Sequence, residues 1–190
     1  IKGCVDRRTI INNDFKVVEY QVEQFETKEP VSVIISKNGW IKSIKGHQDN
    51  YDNIKYKEGD SKKFVILCKN NDRLLLFSSL GKFYTINCSK INTGRGFGDP
   101  ISLMIDKSDN EEIIFAKMYE SDKDYLITSS SGKGFFVNTN DLMASTKSGK
   151  KVMNLKDNDR AVSCYEKKGD LIGVFSGEKK SIKLLILDQS

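Results

Sequence analysis

The stretch that most constrains this chain is Glu29 to His47, EPVSVIISKNGWIKSIKGH, which reads as one β-hairpin with a basic loop and then recurs in weaker copies. An apolar run, Val31 to Ile35, leads into Ser36-Lys37-Asn38-Gly39, and a second run follows from Trp40 to Ile44. Ser-x-x-Gly suits a tight turn: a short polar side chain opens it, and a glycine takes the positive φ at its end.

The same template fits Leu75 to Lys82 around Ser78 and Gly81, and Leu126 to Lys133 around Ser129 and Gly132. A fourth copy, Val174 to Lys180, keeps Ser176 but has Lys179 where the glycine should stand. The position after the glycine holds Trp40, Lys82, Lys133 and Lys180; four positions later come Ile44, Ile86, Val137 and Leu184. One side of the second strand is therefore apolar each time, and its entrance is aromatic or basic. Short strands repeating every few tens of residues indicate a propeller-like array, in which each blade needs its neighbours to bury its faces.

Further strands are predicted at Phe15 to Val22, which alternates apolar and polar, and at Phe64 to Cys68. Ile113 to Met118 is predicted to open a third unit with Tyr125 to Thr128 and Gly134 to Val137; Ala161 to Leu187 makes a fourth. Asp141 to Ala144 suits a helical turn, and Trp40 is expected to be buried among its apolar neighbours. The loop from Gln48 to Asp60 is long for a hairpin connection, a length that serves either function or simple linkage.

With 38% hydrophobic and 30% charged residues in 190, the chain supports one sizeable core and is too charged for a membrane protein. No apolar run reaches the ~20 residues of a membrane span and no signal-peptide pattern opens the chain, so a cytoplasmic location is expected. Starting at Ile1 without a methionine, it reads as a fragment of something longer. Cys4, Cys68, Cys88 and Cys164 form no CxxC pair and read as reduced structural thiols, so a zinc site is not supported. His47 is the single histidine; it stands in a polar loop and has no histidine partner for a metal cluster or a catalytic pair.

Gly94-Arg95-Gly96-Phe97-Gly98 lacks the strand, loop and helix context and the spacing of a nucleotide-binding loop. Its glycines instead suit a backbone that comes close to something, with Arg95 supplying charge. The carboxylates Asp106, Asp109, Glu111 and Glu112 fall together in one loop, as in a solvated connection, and no catalytic constellation emerges. What repeats together with the fold is basic: Lys42, Lys45 and His47, then Lys90 and Arg95, then Lys147, Lys150 and Lys151, with Lys82 and Lys133 at strand entrances. At equivalent places in successive blades, these cations would form a positive band on a rim. Such a band suits the phosphates of duplex DNA, holding and bending it without reading its sequence.

The first hairpin, the upstream Asp6-Arg7-Arg8-Thr9 and the segment GKFYTINCSKINTGRGFGDPI resemble the C-terminal domain of the A subunit of bacterial DNA topoisomerase IV, a domain shared in related form with gyrase A. The resemblance implies an all-β pinwheel: a propeller-like disc of four-stranded blades, about four in this chain, with a strand exchanged between neighbours. It implies residues 1–14 as a connector from an upstream breakage-reunion core and 15–190 as the DNA-binding pinwheel. The gyrase box Gln-Arg-Arg-Gly-Gly-Lys-Gly is absent where Ser43 to Gln48 stand, which favours the topoisomerase IV branch over a gyrase-type domain. The family's catalytic tyrosine lies in the core, so none of the seven tyrosines here takes that role, and Mg and ATP act elsewhere in the holoenzyme. Implied partners are double-stranded DNA, the breakage-reunion core and the enzyme's other subunit type, the ATP-using one, in an A2B2 assembly. The residues alone also admit a propeller that recognises another protein, its lysines serving only solubility.

Overall fold

A computed structural model describes residues 28–94, 96–169, 171–176 and 181–186. The connector, the strand expected at Phe15 to Val22, Cys4, Arg95 and the turn at Gly177 to Lys180 lie outside the described residues. The described chain forms thirteen strands: β1 (Pro30–Ser36), β2 (Trp40–Lys45), β3 (Lys62–Lys69), β4 (Arg73–Ser78), β5 (Lys82–Asn87), β6 (Asp99–Pro100), β7 (Ile113–Met118), β8 (Asp124–Ser129), β9 (Gly134–Asn138), β10 (Lys150–Lys151), β11 (Ala161–Glu166), β12 (Leu171–Ser176) and β13 (Ser181–Ile186).

The hairpins β1/β2, β4/β5 and β8/β9 close in the registers the repeat demands, such as Ile35 opposite Ile41, Phe77 opposite Phe83 and Ile127 opposite Phe135. The serine of each turn has a definite task. Its carbonyl accepts from the glycine N–H at 3.2 Å (Ser36/Gly39), 3.0 Å (Ser78/Gly81) and 3.0 Å (Ser129/Gly132). In the first two turns its hydroxyl also accepts from the next amide, Trp40 at 3.0 Å and Lys82 at 3.3 Å. All three glycines have φ between +74° and +80°.

A third strand then returns to each hairpin: β3 pairs with β1, β7 with β4, and β11 with β8. This moves two strands from their expected units. Ile113 to Met118 belongs to the second blade and Ala161 to Glu166 to the third. The short connections β7/β8 and β11/β12 join neighbouring blades rather than paired strands. The cause lies at the turns. The amide after each turn serine reaches the carbonyl just before the returning strand, Lys37 to Ser61, Ser79 to Glu112 and Ser130 to Arg160, each at 2.8 Å. Carboxylates two residues before β3 and β11 tighten the same joint. Asp60 accepts from the amides of Asn38 and Ser61, and Asp159 from the hydroxyls of Ser130 and Ser131.

A fourth, two-residue strand comes from the next blade. β6 follows the second hairpin but pairs with β2, and β10 follows the third hairpin but pairs with β5. The described sheets thus run β3-β1-β2-β6, β7-β4-β5-β10, β11-β8-β9 and β12-β13. The helical turn expected at Asp141 to Ala144 is a 3-10 turn two residues earlier, Thr139–Asp141.

The middle blade explains its own composition. Successive residues of a strand point to opposite faces, and β4 buries both: Leu74 and Leu76 join a core shared with Val33, Ile35 and Ile41 of the first blade, while Leu75 and Phe77 join Tyr125 and Ile127 of the third. The run Leu74-Leu75-Leu76-Phe77 is apolar without alternation for that reason. Cys68, Cys88 and Cys164 are buried free thiols, and burial pushes the Cys164 thiol up to about 12.

An ionic joint links the second and third blades. Lys117 of β7 holds Glu166 of β11 at 2.6 Å and Glu120 at 3.6 Å, and Lys123 lies 3.7 Å from Glu166. Lys117, foremost, keeps the Glu166 carboxyl below its ordinary 4.5. A carboxyl depressed on folding adds stability that is complete above its unfolded pKa and is lost as pH falls through the folded value. Glu166→Gln is therefore expected to flatten the acid limb of a stability profile below about pH 4.5, as read by urea unfolding at several pH values. An unchanged acid limb would exclude this joint as its source.

Candidate nucleic-acid interface

The basic residues picked from the sequence fall into four situations. Lys42 is withdrawn from the phosphate contacts: it is 5% exposed. Its ammonium donates to the carbonyls of Lys55 at 2.8 Å and Gly96 at 3.2 Å and lies 5.4 Å from the centre of the Tyr56 ring. Burial lowers its pKa from 10.5. The reason is positional: in a strand covered by β1 on one side and β6 on the other, this side chain points into the space closed by the 48–60 loop. That loop serves as scaffold. Tyr51 bonds the Ser32 hydroxyl at 2.8 Å, and the Lys57 ammonium sits 3.5 Å above the Trp40 ring, which is half-buried rather than buried. Lys42→Met is expected to lower thermal stability yet leave the salt slope of DNA binding unchanged. A slope reduced by about one would return Lys42 to the phosphate contacts.

Lys45 and His47 stand exposed at the end of β2, with Lys45 3.9 Å from Glu29 and His47 Nε2 3.2 Å from the Cys68 carbonyl oxygen. Lys133 is exposed at the entrance of β9. Flanking the undescribed Arg95, the glycine-rich loop is pinned: Ser43 donates its amide to the Asn92 carbonyl at 3.0 Å, and Gly98, at φ +89°, lies against the Ile41 carbonyl, where a Cβ has no room.

The remaining lysines come together on one blade. In sequence, Lys147, Lys150 and Lys151 follow the third hairpin; in space, β10 places them on the outer edge of the second blade beside β5. Lys151 sits directly opposite Lys82, and both line a hollow with Lys156 and Arg160. At the far end of the blade, Lys90 and Lys147 line a second hollow with Asp99 and with Arg73, whose cross-strand partner is Asn87; the exposed Lys147 ammonium donates to the Leu103 carbonyl at 2.9 Å. The two groups lie about 17 Å apart along β5, at ~3.4 Å per residue. A band spread over successive blades was expected; strand exchange gathers Lys82, Lys90, Lys147, Lys150 and Lys151 beside the second blade, while Lys45 and His47 stay on the first and Lys133 on the third.

Lys156, Arg160 and Arg73 were missed because no hairpin position predicts them. Lys156 and Arg160 meet the lysines only through the exchanged strand and the segment after it, and Arg73 comes to the same end of β5 as Lys90 across the hairpin. Among the described residues, ion pairs engage Lys45, Lys62, Lys63, Lys117 and Lys123, and none engages the seven cations of these two groups or Lys150. Asp159 beside Arg160 is occupied by the serines, whose hydrogen bonds hold its carboxyl well below the usual range. Like charges directly opposite on neighbouring strands destabilise a sheet. Asp157 and Asp159 line the same hollow, but neither pairs with Lys82 or Lys151, and the two facing lysines are therefore an arrangement that an anion would relieve.

A sequence-family profile described as "DNA gyrase C-terminal domain, beta-propeller" matches residues 72–118 and 123–165. The A subunit of DNA topoisomerase 4 from Rickettsia bellii is 40% identical over 168 residues, covering 88% of this chain and 23% of that protein. The Caulobacter vibrioides protein of the same name is 34% identical over 88% of this chain and 22% of its own length. The chain thus spans less than a quarter of these relatives. Among solved structures, the C-terminal domain of E. coli ParC superposes with a TM-score of 0.75 at 26% identity, covering 84% of this chain and 65% of that one. The "DNA gyrase A C-terminal domain" gives a TM-score of 0.56 at 25% identity over 82% and 54%. With its blades, its exchanged strands and these relatives in agreement, the chain belongs to the family of C-terminal domains found in DNA topoisomerase IV and gyrase, in the A subunits of those enzymes.

Proposed function

We propose that this chain is a duplex-DNA-binding domain that captures and bends a DNA segment and presents it to the core of a type IIA topoisomerase. The observation that carries the reading is the pair of cation groups at the two ends of β5, free of ion pairs among the described residues. An anion whose charges are spaced along a backbone satisfies both groups at once. The contacts would go to phosphates, so binding would be insensitive to sequence and steeply dependent on salt. The chemistry would belong to the rest of the assembly: an upstream catalytic tyrosine, and ATP and Mg used by the core and its partner protein in an A2B2 enzyme. That enzyme would relax and decatenate DNA in the bacterial cytoplasm, at the nucleoid and in chromosome segregation. The test is the affinity of the chain for a ~40 base-pair duplex across a salt series. A steep log–log slope supports the proposal, and a flat one moves recognition of another protein into first place.

A further inference from the structure

The two exchanged strands do the same architectural work with opposite chemistry. β6 lays Pro100 opposite Trp40 and Asp99 opposite Ile41, with no like charges facing each other. β10 lays Lys151 opposite Lys82 and Lys150 opposite Phe83. Pairing a two-residue strand onto a neighbour therefore does not require lysine. The segment that carries β10 is otherwise closely fitted. Gly149, at φ +74°, leaves no room for a Cβ, which would come within 2.7 Å of the Tyr84 ring. Val152 and Met153 donate their amides to the Gly81 carbonyl at 2.9 and 3.0 Å, and Met153 is buried in the core between the second and third blades. Between these anchors sits Lys151, facing Lys82, with Lys156, Arg160, Asp157 and Asp159 around the same hollow and no ion pair drawn to either lysine.

We propose that β10 is a clasp closed by an anion. Duplex phosphates lying between Lys82 and Lys151 remove their repulsion and fasten the strap from the third blade onto the second, so binding DNA stiffens the joint between blades. The inference rests on the DNA-binding reading and adds a coupling to it: a ligand that binds the closed strap better than the frayed one must close it. Opposed like charges weaken a cross-strand pair enough to change the frayed population by about two- to fivefold.

Amide hydrogen exchange of Lys150 to Met153 tests this with three comparisons. Saturating duplex at low salt is expected to slow exchange there about two- to fivefold, beyond any change in the core strands β4 and β8. Without DNA, raising the salt is expected to slow the same amides, because it screens the pair. Lys82→Met without DNA is expected to be slow already at low salt and insensitive to salt. DNA that binds without slowing the strap overturns the clasp and leaves the DNA-binding reading standing. Equal exchange in wild type and Lys82→Met without DNA overturns the clasp whatever DNA does. No binding at all overturns both.

Discussion

Replacing Lys82, Lys151, Lys156 and Arg160 together with alanine is expected to lower the slope of log affinity against log salt by about 3 to 4, close to 0.9 per lost phosphate contact. In ~100 mM salt the affinity for a short duplex is expected to fall about a hundred- to a thousandfold. The effect should be that large because these four side chains line one hollow and, among the described residues, none is drawn to a carboxylate ion pair. A matched control separates placement from total charge. Lys62 and Lys63 lie against Asp52 and Glu112, so Lys62→Ala with Lys63→Ala is expected to change the slope little. Equal losses in the two variants would mean that net charge, and not the edge of the second blade, attracts the duplex.

Gly98→Ala is expected to be among the most destabilising single-methyl changes in the chain. Gly98 is held at φ +89°, which costs an alanine about 1 to 2 kcal/mol by itself. The new Cβ would also press on the Ile41 carbonyl and, at 2.8 Å, on the Lys42 Cβ, both in the core of the first blade. The strap leading to β6 would have to lift from β2, for a total of about 3 kcal/mol or more and a Tm lowered by about 6 to 12 °C. Gly132 is the comparison: φ is +78°, but nothing lies within 4 Å of its Cβ site. Gly132→Ala should therefore cost only the backbone share, about 1 to 2 kcal/mol. Equal melting points for the two variants would show that the tight crossing of strap over β2 does not hold the blade.

The repeated Ser-x-x-Gly turns were legible because a glycine at positive φ and a serine that bonds the following amide are local requirements, written within five residues. The apolar run Leu74 to Phe77 was legible as a strand, although only the structure explains why both of its faces are buried. Lys42 was misjudged because Lys42 and Lys45 look alike in a sequence. One meets the 48–60 loop and the other meets water, and the difference depends on a chain segment 13 residues away. Glu111 looked like a solvated loop carboxylate, yet it is buried and accepts from the Tyr84 hydroxyl at 2.8 Å, a partner 27 residues away in the sequence.

The hairpin strands, the tight turns between them and the repeat could be read from the residues alone, since these rest on side-chain alternation and on backbone geometry over a few residues; the two-residue strands β6 and β10 could not. The sequence also supplied an excess of cations, formally +5. Which strands share a blade, and where the cations gather, were decided only by tertiary structure. β7 and β11 return to the hairpins before them because the carbonyls just before each strand, Glu112 and Arg160, meet the turn amides there. β10 crosses to the blade before it and takes Lys147, Lys150 and Lys151 along to Lys82 and Lys90. Charges that lie tens of residues apart interact only once a strand exchange has brought them within a few ångströms, and no local pattern records that exchange.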